Sequence, residues 1–148
     1  MPKLTITSLA DIADAALRKL LGTRAFSTGA LAIGSTKAKV KTAAAIGYCI
    51  GGVMYTKAAT DDLFVHTDVT VQAADTTKYY ALCLDATGAA SVIQGTATAL
   101  PVVPDTKCIV GYLKIVTTAA FTPATTDHDA AGITTTYHNI SVPPVTLA

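Results

Sequence analysis

The sequence predicts a mainly β protein: an antiparallel β-sandwich or barrel, jelly-roll-like or similar, with one N-terminal α-helix. Three observations predict this class. Helical periodicity is confined to the beginning of the 148-residue chain, strand-like runs separated by turn residues fill the remainder, and no helical pattern lies between those runs. The last observation excludes a doubly wound α/β fold.

The helix is predicted over about residues 9–21. Apolar residues recur there at spacings of three and four and form a single stripe. Ser8 and Asp11 resemble a capping box, and Gly22 can adopt the left-handed conformation that ends a helix. A helix of about 13 residues is marginal alone in water, so its stripe must be covered.

We expect this helix to dock on copies of the chain or on a partner, which makes the segment 1–22 an oligomerising or docking element. The alternative is that the helix packs across an open end of its own β-domain. The stripe residues predicted to make the contact are Leu9, Ile12, Ala16 and Leu20.

The chain is predicted to form one domain in three parts. Residues 1–22 are the helical segment, residues 23–37 a connector rich in small residues, and residues 38–148 the β-domain with an extended C-terminal tail. That tail contains Val142-Pro143-Pro144-Val145 and can lie across a neighbouring molecule or fray.

Strand-like runs alternate with turn residues along the β-domain. The clearest hairpin is predicted at Asp85-Ala86-Thr87-Gly88, where glycine occupies the last turn position between two apolar runs. The predicted strands lie near 38–43, 46–57, 62–67, 78–85, 89–95, 108–116 and 133–140.

Charge is scarce in this chain. Apolar residues make up 51% of the sequence and charged residues 14%, against roughly 25% charged residues in ordinary soluble domains. Either the chain is simply rich in alanine and threonine and weakly charged, or copies or a partner cover part of its surface. The second interpretation favours a homo-oligomer, most simply a trimer. A net charge of +1 predicts no nucleic-acid or membrane partner, and no apolar run is long enough to span a bilayer.

The sequence predicts no catalytic residue, no cofactor site and no metal site. Asp127-His128-Asp129 is the only local cluster of a histidine with carboxylates, and it is predicted to hydrogen-bond the backbone of a turn. His66 and His138 lie in strand-like runs and are predicted at the surface or in an interface. A small hydrolase is disfavoured because no nucleophile and base are assembled.

The remaining reactive residue types have structural interpretations. Cys49, Cys83 and Cys108 are odd in number, lie in apolar runs and form no C-x-x-C pair, so they are predicted to be buried, reduced thiols. The chain has no glutamate, and its adjacent carboxylates occur at Asp61-Asp62 in a predicted turn. Gly51-Gly52 precedes strand formers, which predicts a bulged strand and no phosphate loop.

Three lysines alternate with apolar residues ahead of the second predicted strand. Lys37, Lys39 and Lys41 would lie on one face of a strand and could contact an acidic surface, either a capsid or a nucleic acid. An equally good interpretation is a solvated edge strand on which charge prevents aggregation.

Three stretches beyond residue 44 carry a family resemblance: AIGYCIGGVMYTKAATDDL at 45–63, YYALCLDATGAASVIQGTATALP at 79–101 and CIVGYLKIVTTAAFTPATTDHDAAGITTTYHNI at 108–140. They resemble small structural proteins of tailed bacteriophages, especially head decoration (cement) or head-fibre proteins. The resemblance implies a β-domain repeated many times on a virion, with no active site. It does not extend to the N-terminal helix.

The function expected from this resemblance is non-enzymatic. The chain would be made in the host cytoplasm, bind the major capsid protein on the capsid exterior and stabilise the shell. The alternative is a tail or fibre-base module that binds a host surface or another virion component.

Overall fold

The computed structural model describes residues 22–141, and this range is mainly β with no helix. The prediction of a mainly β, antiparallel protein is confirmed. The helix predicted over 9–21 lies outside the described residues. The ten strands are β1 (Arg24–Ala25), β2 (Leu31–Ile33), β3 (Val40–Thr42), β4 (Ile46–Ile50), β5 (Val53–Lys57), β6 (Thr60–Phe64), β7 (Thr77–Asp85), β8 (Ala90–Gln94), β9 (Lys107–Thr117) and β10 (Ile133–Asn139).

The strands form three antiparallel sheets. The largest has the order β10-β9-β7-β8, and the two smaller sheets have the orders β1-β4-β5 and β2-β3-β6. Strands β1 and β4 contact β9, whereas β2 contacts β10 and β6 contacts β8. Both small sheets therefore pack against the large one.

One hydrophobic core lies between the sheets. The long strands β7 and β9 supply much of it through Tyr80, Leu82, Leu113 and Ile115, all without exposed surface. Neighbouring residues on these strands point to opposite faces, which leaves Tyr79 and Tyr112 on the other side of the sheet. The apolar runs from which these strands were predicted thus supply much of the core.

The predicted hairpin turn joins β7 and β8. One oxygen of the Asp85 carboxylate accepts hydrogen bonds from the backbone nitrogens of Thr87 and Ala89 at 2.8 and 3.0 Å. The Thr87 hydroxyl donates to the same oxygen, and these bonds hold the pKa of Asp85 below its usual range. Gly88 has a φ of +79°, a conformation that side chains disfavour.

Two features differ from the predicted strands. The stretch 23–37, predicted as a connector, contains β1 and β2, which pair with β4 and β3. The run 46–57 is not one bulged strand, because Gly51 and Gly52 have φ values of +56° and +86° and form a turn between β4 and β5. Two successive residues with positive φ reverse the chain.

Candidate interaction surfaces

The structure does not place the three predicted lysines on one face of a strand. Lys37 and Lys39 lie in the loop between β2 and β3, and only Lys41 is in β3. The ammonium group of Lys37 lies 2.8 Å from Asp129, and that of Lys39 lies 3.6 Å from Asp62. The interpretation as an edge strand is also wrong, since β3 lies between β2 and β6.

The Asp61-Asp62 pair lies within β6 and not in the predicted turn, and it secures the loop before β3. Asp61 accepts a hydrogen bond from the backbone nitrogen of Ser35 at 3.1 Å, and Asp62 accepts one from Thr36 at 3.0 Å. Both serine and threonine hydroxyls also donate to these carboxylates, and the bonds lower the pKa of each aspartate. The charges of this region therefore neutralise one another and form no cationic patch.

The predicted helix contacts Leu9, Ile12, Ala16 and Leu20 lie outside the described residues. Their role as a docking stripe stays a prediction. No helix long and apolar enough to cross a membrane occurs between residues 22 and 141.

The cysteines are buried free thiols, as predicted. Cys49, Cys83 and Cys108 have no exposed surface. Burial raises the pKa of Cys83 to about 12 and that of Cys108 to about 11. A thiolate is the reactive form of cysteine, so Cys83 and Cys108 are poor nucleophiles at neutral pH.

Two histidines form a buried pair, which the sequence did not predict. His66, expected at the surface or in an interface, is 1% exposed, and His128 is 3% exposed. Their ring centroids are 5.0 Å apart, and Phe121 contacts both rings edge-on. Both nitrogens of His66 and Nε2 of His128 have no hydrogen-bond partner among the described residues.

Burial keeps this histidine pair neutral. Desolvation, together with a smaller contribution from the nearby His128, lowers the pKa of His66 to about 3. Desolvation also lowers the pKa of His128 to about 4, against opposing contributions from the Ala38 carbonyl and from Asp127 and Asp129. The pair therefore contributes to the pH dependence of stability.

The side chains of Asp127, His128 and Asp129 do not come together around a common site. The His128 ring turns into the core, whereas the Asp129 carboxylate pairs with Lys37. Across residues 22–141, no group of three histidine, cysteine or aspartate side chains is placed to hold a metal ion.

The first candidate interaction surface is the edge of the β1-β4-β5 sheet, here called the β5 edge (Val53–Lys57). Within the described range, β5 pairs with β4 on one side only. Val53 and Met54 are 40% and 57% exposed. An exposed apolar edge strand can pair with another chain, so this surface is suited to protein contact. Sequence reasoning missed it because the run 46–57 was interpreted as one strand.

The second candidate surface is an aromatic cleft, lined by Tyr79, Thr98, Ala99, Leu100 and Tyr112. Its volume is about 200 Å³. It lies on the face of the large sheet that points away from Tyr80 and Leu113. The tyrosines were predicted within strands, but the pattern did not show that a loop would meet them.

Comparisons with protein-family models, with curated proteins and with solved structures found no match to this chain.

Proposed function

We propose that the chain is a non-enzymatic virion structural protein that binds the outer surface of a capsid and stabilises the shell, as decoration (cement) proteins do. It would be made in the host cytoplasm, bind the major capsid protein and act without a cofactor, a nucleic acid or a membrane. We further propose that its sheets form a sandwich-like β-domain around the single core.

The observation that carries this proposal is the β5 edge. Val53 and Met54 present apolar surface on a strand whose outer backbone groups have no strand partner among residues 22–141. A coat subunit can add a strand there and cover both side chains. Each such contact is modest, but an oligomer that makes several contacts at once binds a shell much more tightly.

The rest of the described surface supports binding more than chemistry. The thiols and the histidine pair are buried, and the carboxylates of Asp61, Asp62 and Asp129 pair with residues of the same chain. A reaction needs a nucleophile or base that a substrate can reach. A structural role requires only a stable fold and a surface that a partner can cover.

The proposed contact is tested by co-sedimentation with assembled shells of the phage that encodes the chain. Met54→Asp should weaken binding by at least about tenfold, because a buried carboxylate without a partner costs more than 1.4 kcal/mol. Thr136→Asp is the matched control, since Thr136 is also exposed and lies on an edge strand of another sheet. Equal losses, or no loss with Met54→Asp, would remove the β5 edge from the proposal.

One observation favours the alternative of a tail or fibre-base module. Val102 is 94% exposed in the loop between β8 and β9, and an apolar side chain at a loop tip suits contact with a host surface. In that case the protein would bind host cells or isolated tails and leave shells unbound.

A further inference from the structure

Three aromatic rings form a row across the large sheet, on the side away from the core. Tyr79 lies on β7, Tyr112 on β9 and His138 on β10. The rings of Tyr112 and His138 stack, with centroids 4.4 Å apart and planes at 11°, and Tyr79 lies 6.1 Å from Tyr112. Such a row offers flat apolar faces to a ligand.

A loop closes one side of this row and forms the aromatic cleft. The backbone nitrogens of Gly95 and Tyr79 donate to the carbonyls of Tyr79 and Thr96 at 2.7 and 3.2 Å, which fastens the start of the loop to β7. Leu100, 39% exposed, then faces the two tyrosines. Grooves lined by aromatic side chains are the usual binding sites of proline-rich segments in the polyproline II conformation.

The chain itself contains a ligand of this kind. Pro143-Pro144 is the only pair of adjacent prolines in the sequence, and valines flank it on both sides. Adjacent prolines favour the polyproline II conformation, so little entropy is lost on binding. We propose that the aromatic cleft of one molecule binds the Pro143-Pro144 segment of a second copy.

Strand register explains why a second copy is needed. His138 lies opposite Tyr112, whereas Tyr79 and Thr136 lie on either side of Lys114. At about 3.3 Å per residue, residue 141 is about 10 Å beyond the Tyr112 position and about 16 Å beyond the Tyr79 position. The chain therefore leaves β10 while moving away from its own cleft.

The length of the tail disfavours binding within one molecule. Pro143 and Pro144 follow residue 141 by only two and three residues, which span at most about 11 Å and fall short of the Tyr79 end of the cleft. A residue that precedes a proline disfavours helical backbone, so the sequence Val142-Pro143 does not favour an immediate reversal of the chain. Exchange of tails between copies satisfies both restrictions and joins neighbouring molecules.

This inference rests on the homo-oligomer of the proposed function and names the segment that links its copies. It is tested in solution without shells, so its failure and the failure of shell binding are separate results. Because the three natural cysteines are buried, a cysteine introduced at an exposed position is the reactive thiol of the described surface.

The experiment mixes two full-length chains, one with Thr98→Cys in the cleft and one with Val145→Cys beside the proline pair. Under mild oxidation, we expect a disulfide between the two different chains, detected as a linked 98–145 peptide by mass spectrometry. The matched control replaces Thr98→Cys with Thr87→Cys, an exposed turn residue, and should give about tenfold less product. Equal yields would overturn the proposal.

Three further variants separate binding from folding. Tyr112→Ala should reduce the linked product by about tenfold, and Tyr112→Phe should retain it, since the ring face makes the contact. Leu100→Ser, at a partly exposed position, should reduce it without unfolding the chain. A doubly substituted Thr98→Cys/Val145→Cys chain that forms its disulfide within one molecule at high dilution would contradict exchange between copies.

Discussion

The buried histidine pair connects single residues to the stability of the whole fold. His66 and His128 have lowered pKa values of about 3 and about 4, whereas an unfolded histidine titrates near 6.5. Between these values the unfolded chain binds more protons than the folded chain, so the free energy of unfolding decreases as the pH falls from 6.5. The lowered aspartate pKa values act below about pH 4 and lie outside this window.

We predict a loss of about 2 kcal/mol of stability per histidine between pH 7 and pH 5. His66→Leu should remove about half of that dependence, because the leucine does not titrate. It should not lower stability at pH 7, since both replaced nitrogens lack hydrogen-bond partners among the described residues. Urea unfolding at both pH values measures this, and an unchanged pH slope in the variant would refute the assignment.

A buried glutamine is a further polar residue in the core. Gln72 has no exposed surface and donates to the carbonyls of Thr76 and Ile115 at 3.1 and 3.0 Å. Its own carbonyl accepts the Tyr80 hydroxyl at 2.8 Å. These bonds fix the isolated bridge between Gln72 and Phe121 against the large sheet.

Gln72→Leu should lower the free energy of unfolding by about 2–4 kcal/mol, because it leaves buried polar groups without partners. Gln94→Leu is the control: Gln94 also bonds Tyr80, but it is only half-buried, so water can replace its bonds. Chemical unfolding followed by circular dichroism compares the two. Similar losses of stability in both variants would show that burial does not determine how much these hydrogen bonds contribute to the free energy of unfolding.

Burial of particular polar residues was beyond sequence reasoning. The cysteines were predicted inside because they lie in apolar runs, and they are inside. His128 stands between two aspartates, so a local pattern places it in solvent, yet the loop turns its ring towards His66 and Phe121. Contacts with residues distant in sequence determine the orientation of the His128 ring, so its sequence neighbours do not predict it.

At the scale of elements, local signals predicted the hairpin of β7 and β8 well. The Asp85 carboxylate accepts hydrogen bonds within the turn, and Gly88 adopts its positive φ. Both are properties of single residues, so the sequence alone predicts them. Strands β1 and β2 have two and three residues, too few for any periodicity, and they exist because β4 and β3 pair with them. Lys37 and Lys39 alternate like strand residues but lie in a loop that Asp61 and Asp62 hold.

Deletion of residues 1–21 tests the proposed role of the N-terminal segment. We expect the remaining chain to keep its β circular dichroism spectrum and to lose trimer formation or shell binding. Gly22 is retained because its carbonyl accepts a hydrogen bond from Gly52 at 3.2 Å.

The alternative, in which the segment packs on its own domain, also has a place in the structure. A cleft of about 320 Å³ lies close to the start of the described chain, and its lining includes Thr23, Arg24, Ala25, Ile109 and Ile140. If the segment fills this cleft within its own molecule, the deletion will lower stability or unfold the chain. That result would overturn the account of the segment as an assembly element.

At the scale of the whole molecule, low charge and exposed apolar residues favour self-association. Charged residues are 14% of the chain, and Met54, Val71 and Val102 are each more than half exposed. We therefore predict a trimer in solution, since closed symmetry is the usual way to cover such surfaces. Sedimentation velocity at micromolar concentration measures it directly, and a monomer there would contradict the prediction.

The central claim is that the protein recognises an assembled shell. The most direct measurement compares binding of the purified wild-type protein to assembled shells and to unassembled coat subunits of the same phage. We predict saturable binding to shells, with a fixed number of copies per shell, and at least about tenfold weaker binding to free subunits, because several contacts act together only on the assembled surface. Equal affinity for both, or no affinity for shells, would contradict the proposed function.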